Sequence, residues 1–261
     1  MIKMKINRVD YSNNNTPVLY DREIDEFAHE VLADYKPNLL KEPGTIRFEH
    51  FLESYLGVTL MYKDIYNPDP KERILGAVAF RGGTLKVFDR ENTRVSNIIV
   101  NENTVVIDNF AMEPGREGLA LFTGLHESGH FMIHHQVYGN ESDSGGNGKK
   151  LLPIVYCRRD TVESFGSFWK NSSFKDAKAW REHQADYFAS AVAMPNATFV
   201  PFVNRLMREY KIWKNHIAMG QDEDLDILAE ELLPERITEI YGVSKRAALI
   251  KLKKCGFVCS L

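Results

Sequence analysis

The stretch His126-Glu127-Ser128-Gly129-His130 decides how the rest of the chain is read. Two histidines four apart on a helix lie on one face, one turn above the other, so both imidazoles can reach one metal ion. A glutamate beside the first histidine sits where it can deprotonate water on that metal. The surroundings read as a helix over about 114–135. Pro114 is placed to open it, and Leu119, Phe122, His126, His130 and Ile133 recur at helical spacing. The histidines therefore point inward, where unpaired polar groups are costly. The alternative is a pair of core histidines satisfied by their neighbours.

Gly118, Gly124 and Gly129 interrupt this helix, each costing up to about 1 kcal/mol against alanine. Three such penalties predict that another backbone or helix packs closely there. Toward the N-terminus, residues 22–36 read as an amphipathic helix with Ile24, Phe27, Ala28, Val31 and Leu32 on one face, stopped by Pro37. A second helix is expected from Thr45 to Tyr55. Three β-rich runs follow, at 74–80, 84–88 and 104–108, with Gly82-Gly83 as a hairpin signal between the first two. They predict a small antiparallel sheet beside the metal helix. Residues 139–150 are glycine-rich and polar, a flexible loop or a lid, and Ile154–Cys157 reads as a short strand. Helices are expected over 174–194, 197–213 and 222–232. From Arg236 the spacing of Ile237, Ile240, Gly242-Val243-Ser244, Ala247, Ala248, Ile250 and Leu252 is that of a helix–turn–helix.

With 261 residues, 44% hydrophobic and 26% charged, the chain has the composition of a soluble globular protein. A net charge of −3 gives no overall basic field toward nucleic acid or membrane. No apolar run approaches the roughly 20 residues of a membrane span, and the first residues lack the apolar core of a signal peptide. Three cysteines, Cys157, Cys255 and Cys259, give no disulfide framework and suit a reducing cytoplasm. The organisation expected is a single unit over 1–220, with its metal core at 114–195, and a C-terminal helical segment, 221–261, packed on it.

H-E-x-x-H is a pattern of zinc peptidases. Catalytic zinc takes three protein ligands and leaves one position to water. A third histidine in the H-E-x-x-H-x-x-G-x-x-H pattern would be residue 136, with glycine at 133; these are Gln136 and Ile133, which excludes that class. Glu182 is the best candidate, because it shares the apolar stripe of Ala185, Phe188, Ala189 and Val192. An ionised carboxylate there is expensive unless a cation meets it. A salt bridge from Glu182 to Arg181 or Lys178 is the alternative, and Glu163 or Asp160 are the other candidate ligands. Asp186, one turn along, is placed to hydrogen-bond a ligand histidine. For an oxyanion donor, Tyr187, His183, Tyr156 and His134 all stay open, although His134 is better read as a protonated imidazole near a helix C-terminus.

Together these segments resemble the ImmA/IrrE family of bacterial zinc peptidases. The matching pieces are Gly118–His134 around the zinc motif, then Glu182-His183-Gln184-Ala185-Asp186-Tyr187-Phe188-Ala189-Ser190, then Met194-Pro195, and Tyr241-Gly242-Val243-Ser244 toward the end. They cover residues 116–257 in patches; Cys255-Gly256 stands where Leu-Gly is more usual. The resemblance implies an α+β, zincin-like (gluzincin-like) fold, mostly helical, with the small three-stranded antiparallel sheet beside the metal helix. It implies one Zn2+ per chain held by His126, His130 and Glu182, with Glu127 as catalytic base. It also implies a cytoplasmic hydrolase acting on a protein partner, typically a helix–turn–helix transcriptional repressor. Direct nucleic-acid binding is not expected, since the basic residues of 236–257 read better as a solvated face of a packing helix. A regulatory protein that holds zinc without peptidase activity, binding DNA or a repressor through its C-terminal helices, is the rival reading.

Overall fold

The computed structural model describes residues 2–10, 15–69, 73–138, 144–145, 149–150, 154–158 and 177–260. Two short antiparallel strands, β1 (Val9–Asp10) and β2 (Thr16–Pro17), lead into helix α1 (Asp21–Tyr35). The side chain of Glu23 accepts a hydrogen bond from the Tyr20 amide at 2.7 Å, satisfying one of the orphan donors at the helix start. The five apolar residues expected on its inner face are all buried, and Pro37 ends it by opening a 3-10 turn, Pro37–Leu40. Helix α2 (Phe48–His50) passes into a π-helical turn, Phe51–Leu56, that stops at Gly57 with φ 70°. That is shorter at its N-terminal end than the sequence suggests.

The sheet differs from expectation. It has four strands, in the order β10 (Ile154–Arg158), β4 (Ile74–Ala79), β7 (Thr104–Asp108), β3 (Thr59–Lys63). The β10–β4 and β4–β7 pairs are antiparallel and the β7–β3 pair is parallel, so it is not a three-stranded antiparallel sheet. The Gly82-Gly83 turn does not fold the 84–88 run back onto 74–80. That run belongs to β5 (Gly83–Asp89), which pairs with β6 (Arg94–Val100) in a separate ribbon. The physical reason lies in the burial pattern. All of β4 is buried, which demands a neighbour on each edge and cover on each face, whereas β5 alternates and needs one covered face only. The inner side of the ribbon, Leu85, Val87 and Val100, closes a second apolar cluster against Ile65, Ala77, Ala79 and Val106.

Helix α3 (Glu117–Tyr138) carries His126, Glu127 and His130 and crosses the sheet. It starts three residues later than Pro114 suggests, after a turn at Gly115 with φ 84°. Short strands β8 (Ser144–Gly145) and β9 (Lys149–Lys150) pair antiparallel; the rest of the 139–150 stretch, and with it the loop-or-lid question, lies outside the described residues. Helix α4 (Ala177–Ala193) packs along α3 and against α1. Both α3 and α4 are buried nearly all round through their middle turns, so they form the centre of the molecule and not an amphipathic rim.

The three glycines of α3 are its docking points. A Cβ on Gly118 would lie 2.5 Å from the Ser244 amide nitrogen, one on Gly124 would enter the Phe48 ring, and one on Gly129 would lie 3.0 Å from Ala185 Cα. The C-terminal turn, α2 and α4 all approach through these gaps.

Helix α5 (Asn196–Glu209) follows the Met194-Pro195 break. Strand β11 (Ile217–Met219) precedes α6 (Glu223–Ile227), a π-helical turn Leu228–Leu232, and α7 (Leu233–Tyr241). Gly242, φ 70°, turns the chain into α8 (Lys245–Lys254), capped by Ser244 Oγ accepting from Ala247 N at 3.2 Å. Strand β12 (Val258–Ser260) then pairs parallel with β11. Ile237, Tyr241, Ala248 and Leu252 share one apolar core with Phe199 and Phe202 of α5 and with α3 and α4. Among the described residues no helix is long and apolar enough to cross a membrane.

Candidate metal centre

His126 and His130 project from one face of α3 toward α4, and Glu182 projects back from α4. All three are buried. His126 Nε2 lies 3.0 Å from His130 Nε2, and Glu182 Oε2 lies 3.4 and 3.6 Å from those two nitrogens. The centre of this triangle is about 2 Å from each corner, the length of a Zn–N or Zn–O bond. Glu182 Oε2 is buried with no hydrogen-bond donor. His126, His130 and Glu182 are thus brought together as a group that can hold a metal ion. The alternative of a salt bridge to Arg181 does not hold, because Arg181 donates to Tyr138 Oη and Thr16 Oγ1, each at 2.6 Å. Glu163 and Asp160 lie outside the described residues.

Burial works to raise the carboxyl of Glu182, but the His130 and His126 rings facing it hold it well below the usual carboxylate range. Burial also pushes the His130 imidazole below its ordinary value, with Glu182 acting against it. Neutral imidazoles and an ionised carboxylate are the forms that bind a divalent ion. A donor set of two imidazoles and one carboxylate suits a divalent transition-metal ion, zinc among them.

Behind the ligands stand further partners. His126 Nδ1 donates to Asp186 Oδ1 at 2.7 Å, which turns Nε2 toward the centre. Asp186 is itself buried, which raises its carboxyl while His126 opposes the rise. His130 Nδ1 lies 3.0 Å from His134 Nδ1, and His134 Nε2 lies 2.8 Å from Gln184 Oε1. Gln184 Nε2 donates to the Pro17 carbonyl at 2.7 Å. His134 therefore does not act as a cation at a helix end. The helix runs on to Tyr138, and burial together with His130 puts the His134 imidazole well below its ordinary value.

Glu127 is buried on the side of α3 that faces the sheet. A Cβ at Gly76 of β4 would lie 2.7 Å from Glu127 Oε1 and 2.8 Å from Thr123 Cγ2, so only glycine lets the strand pass over the carboxylate. Sequence reasoning passed over Gly76. The signal was there, a lone glycine inside an apolar strand run, which marks close approach. Gln184 and Pro17 carried no such signal.

Three of the four oxyanion candidates are otherwise engaged. Tyr187 Oη donates to Asp25 Oδ2 at 2.6 Å, His183 Nε2 meets Asp21 Oδ1 at 2.9 Å, and His134 is held as above. Tyr156 pairs with Ala77 and packs in the second cluster, on the sheet face away from α3.

No family model and no curated protein matches the sequence. Among solved structures, the chain is similar to a Mycobacterium tuberculosis transcriptional regulator, at 13% identity and a TM-score of 0.40 over 93% of this chain. The chain spans 49% of the length of that structure. A likeness so distant carries nothing about the site.

Proposed function

We propose that the chain is a zinc-dependent endopeptidase of the ImmA/IrrE type, which hydrolyses peptide bonds in a regulatory protein, a helix–turn–helix repressor being the partner the resemblance suggests. The observation that carries this reading is the convergence of His126 Nε2, His130 Nε2 and Glu182 Oε2 with a buried glutamate, Glu127, next to the first ligand on the same helix. Zinc held there would lower the pKa of a bound water toward about 7 and would polarise a carbonyl. Glu127 does not belong to the ligand triangle, and we assign its carboxylate to proton transfer. It takes a proton from the attacking water and gives it to the leaving amine. Asp186 holds the His126 ring in the tautomer that presents Nε2. Gly76 leaves the space in which the Glu127 carboxylate sits.

The rival reading, DNA binding through the C-terminal helices, is weakened by where the basic residues go. Lys251 is buried and Lys254 largely so, Arg236 pairs with Glu239 at 2.6 Å, and Lys245 lies 3.5 Å from Glu231. Lys251 and Lys254 are thus withdrawn from any phosphate contact. The test is metal analysis of protein purified without chelator, with cleavage of a repressor substrate. One zinc per chain, lost in His126→Ala, and cleavage by the wild type are the expected results. Zinc without cleavage of any repressor would leave the regulatory reading in its place.

A further inference from the structure

Single apolar side chains in solvent need no explanation, but a concentration of them does. The stretch from Arg205 to Leu232 holds four. Trp213 is 79% exposed and Ile227 48%, and Tyr210 and Leu232 are exposed as well. Beside Trp213 the surface is cut by a notch of about 360 Å3. It is lined by Lys211, Trp213, Lys214 and His216, between α5 and β11, and by Gln221 and Leu225 at the entry to α6.

The two sides of this notch carry opposite charge. Arg205, Arg208, Lys211 and Lys214 are all exposed on and after α5, with Glu209 the one acid among them. Asp222, Glu223 and Asp224 are exposed at the start of α6, and Glu230 and Glu231 follow beyond it. Among the described residues, none of Arg205, Arg208, Lys211, Lys214, Glu223 and Asp224 takes part in an ion pair. We propose that this face pairs two copies of the chain about a two-fold axis, with the basic side of each copy against the acidic side of the other.

The partner follows from the arrangement of the charges. A nucleic acid laid on the basic side would bring phosphates up to Asp222, Glu223 and Asp224 across the notch. A basic segment laid on the acidic side would meet Lys211 and Lys214. The partner that fits both sides carries both signs next to each other, in reverse order, around an apolar centre. The same face of a second copy, turned by a two-fold rotation, has that pattern, and every attraction in it occurs twice. The exposed indole of Trp213 supplies the large apolar surface on which such contacts are anchored. A net charge of −3 leaves little overall repulsion between copies. No residue of this face belongs to the metal centre, so the pairing and the peptidase reading stand or fall separately.

The experiment measures the mass of the full-length chain in solution over a range of concentrations. The wild type should pass from the 29.9 kDa monomer to a dimer as concentration rises. The dimer should weaken between about 0.1 M and about 0.5 M salt. Lys211→Glu with Lys214→Glu makes both sides acidic, and Glu223→Lys with Asp224→Lys makes both basic. Each double variant alone should raise the dimer dissociation constant at least about 10-fold. Mixed together they should form a mixed dimer, seen by native mass spectrometry, because opposite charges then meet on both sides. A wild type that stays monomeric at every concentration overturns the proposal, including one that binds DNA through Lys211 and Lys214. So does a dimer that survives either reversal unchanged, or a pair of folded variants that does not recombine. If a reversed chain does not fold, Trp213→Ala replaces it, with the same loss of about 10-fold or more expected and an unchanged dimer overturning the proposal.

Discussion

Two glutamates of the candidate site share one chemistry, yet the structure assigns them different surroundings. Glu182 faces two imidazole nitrogens within 3.6 Å, while Glu127 lies under a glycine of the sheet. Their amides should therefore fail differently. Glu127→Gln should keep zinc and fold but lose peptide cleavage by roughly 100- to 10,000-fold, because an amide cannot accept the proton of water. Glu182→Gln removes the one anionic ligand, so zinc should bind more weakly and activity should recover in part when zinc is added in excess. Bound zinc and repressor cleavage, measured for both variants with and without added metal, check this. Full zinc occupancy in Glu182→Gln would place the third ligand elsewhere.

At the scale of elements, the site exists because backbones come close. Gly129 brings α3 against α4, and Gly76 brings β4 against Glu127. Gly129→Ala gains helix propensity but pushes a methyl to 3.0 Å from Ala185 Cα, so α4 must shift. The expected balance is a net destabilisation, from an overpacking cost of about 1–3 kcal/mol, read as a lower denaturant midpoint. Zinc affinity should fall with it, since Glu182 rides on α4. Gly76→Ala should act on catalysis, displacing the Glu127 carboxylate with zinc binding retained; equal activity in this variant would show that the carboxylate has room to move. The need for close packing was legible in the spacing of Gly118, Gly124 and Gly129. Which elements filled the gaps was not, because a glycine shows only that something approaches.

Across the whole molecule, the C-terminal helix is tied to the first helix by buried charge. Lys254 Nζ of α8 lies 3.7 Å from Asp21 Oδ2 of α1 and over the Tyr187 ring of α4. Burial pushes its amine down to about 7 from an ordinary 10.5, against the pull of Asp21 and Asp25. Burial raises Asp25 in turn, with Lys251 and Lys254 opposing. The unfolded chain therefore binds more protons than the folded one between about pH 7 and 10.5. The contribution of Lys254 to stability is complete above 10.5 and is lost as pH falls through about 7. Lys254→Met should accordingly gain thermal stability on the wild type at pH 6–7, and the gain should shrink toward pH 10. A difference in melting temperature that stays constant over that range would show that the amine is not titrating in the fold.

Local periodicity was enough to place both histidines on one face of a helix and Glu182 on the apolar stripe of another. It also located α1, α4 and the C-terminal helix pair, because the 3.6-residue repeat is set by covalent geometry within a few residues. Only the tertiary structure decided that β4 lies between β7 and β10, that β3 joins in parallel, and that the 84–88 run pairs with the strand at 94–100. Strand partners are chosen by what covers each face and edge of the sheet, and no spacing within one strand encodes that. The same holds for His134. Its place one turn from His130 was plain in the sequence, but its partner Gln184 and the Pro17 carbonyl beyond are assembled by chain closures of 50 and 167 residues. Such contacts form only once the helices have packed, so the outer support of the metal centre belongs to the fold and not to the motif.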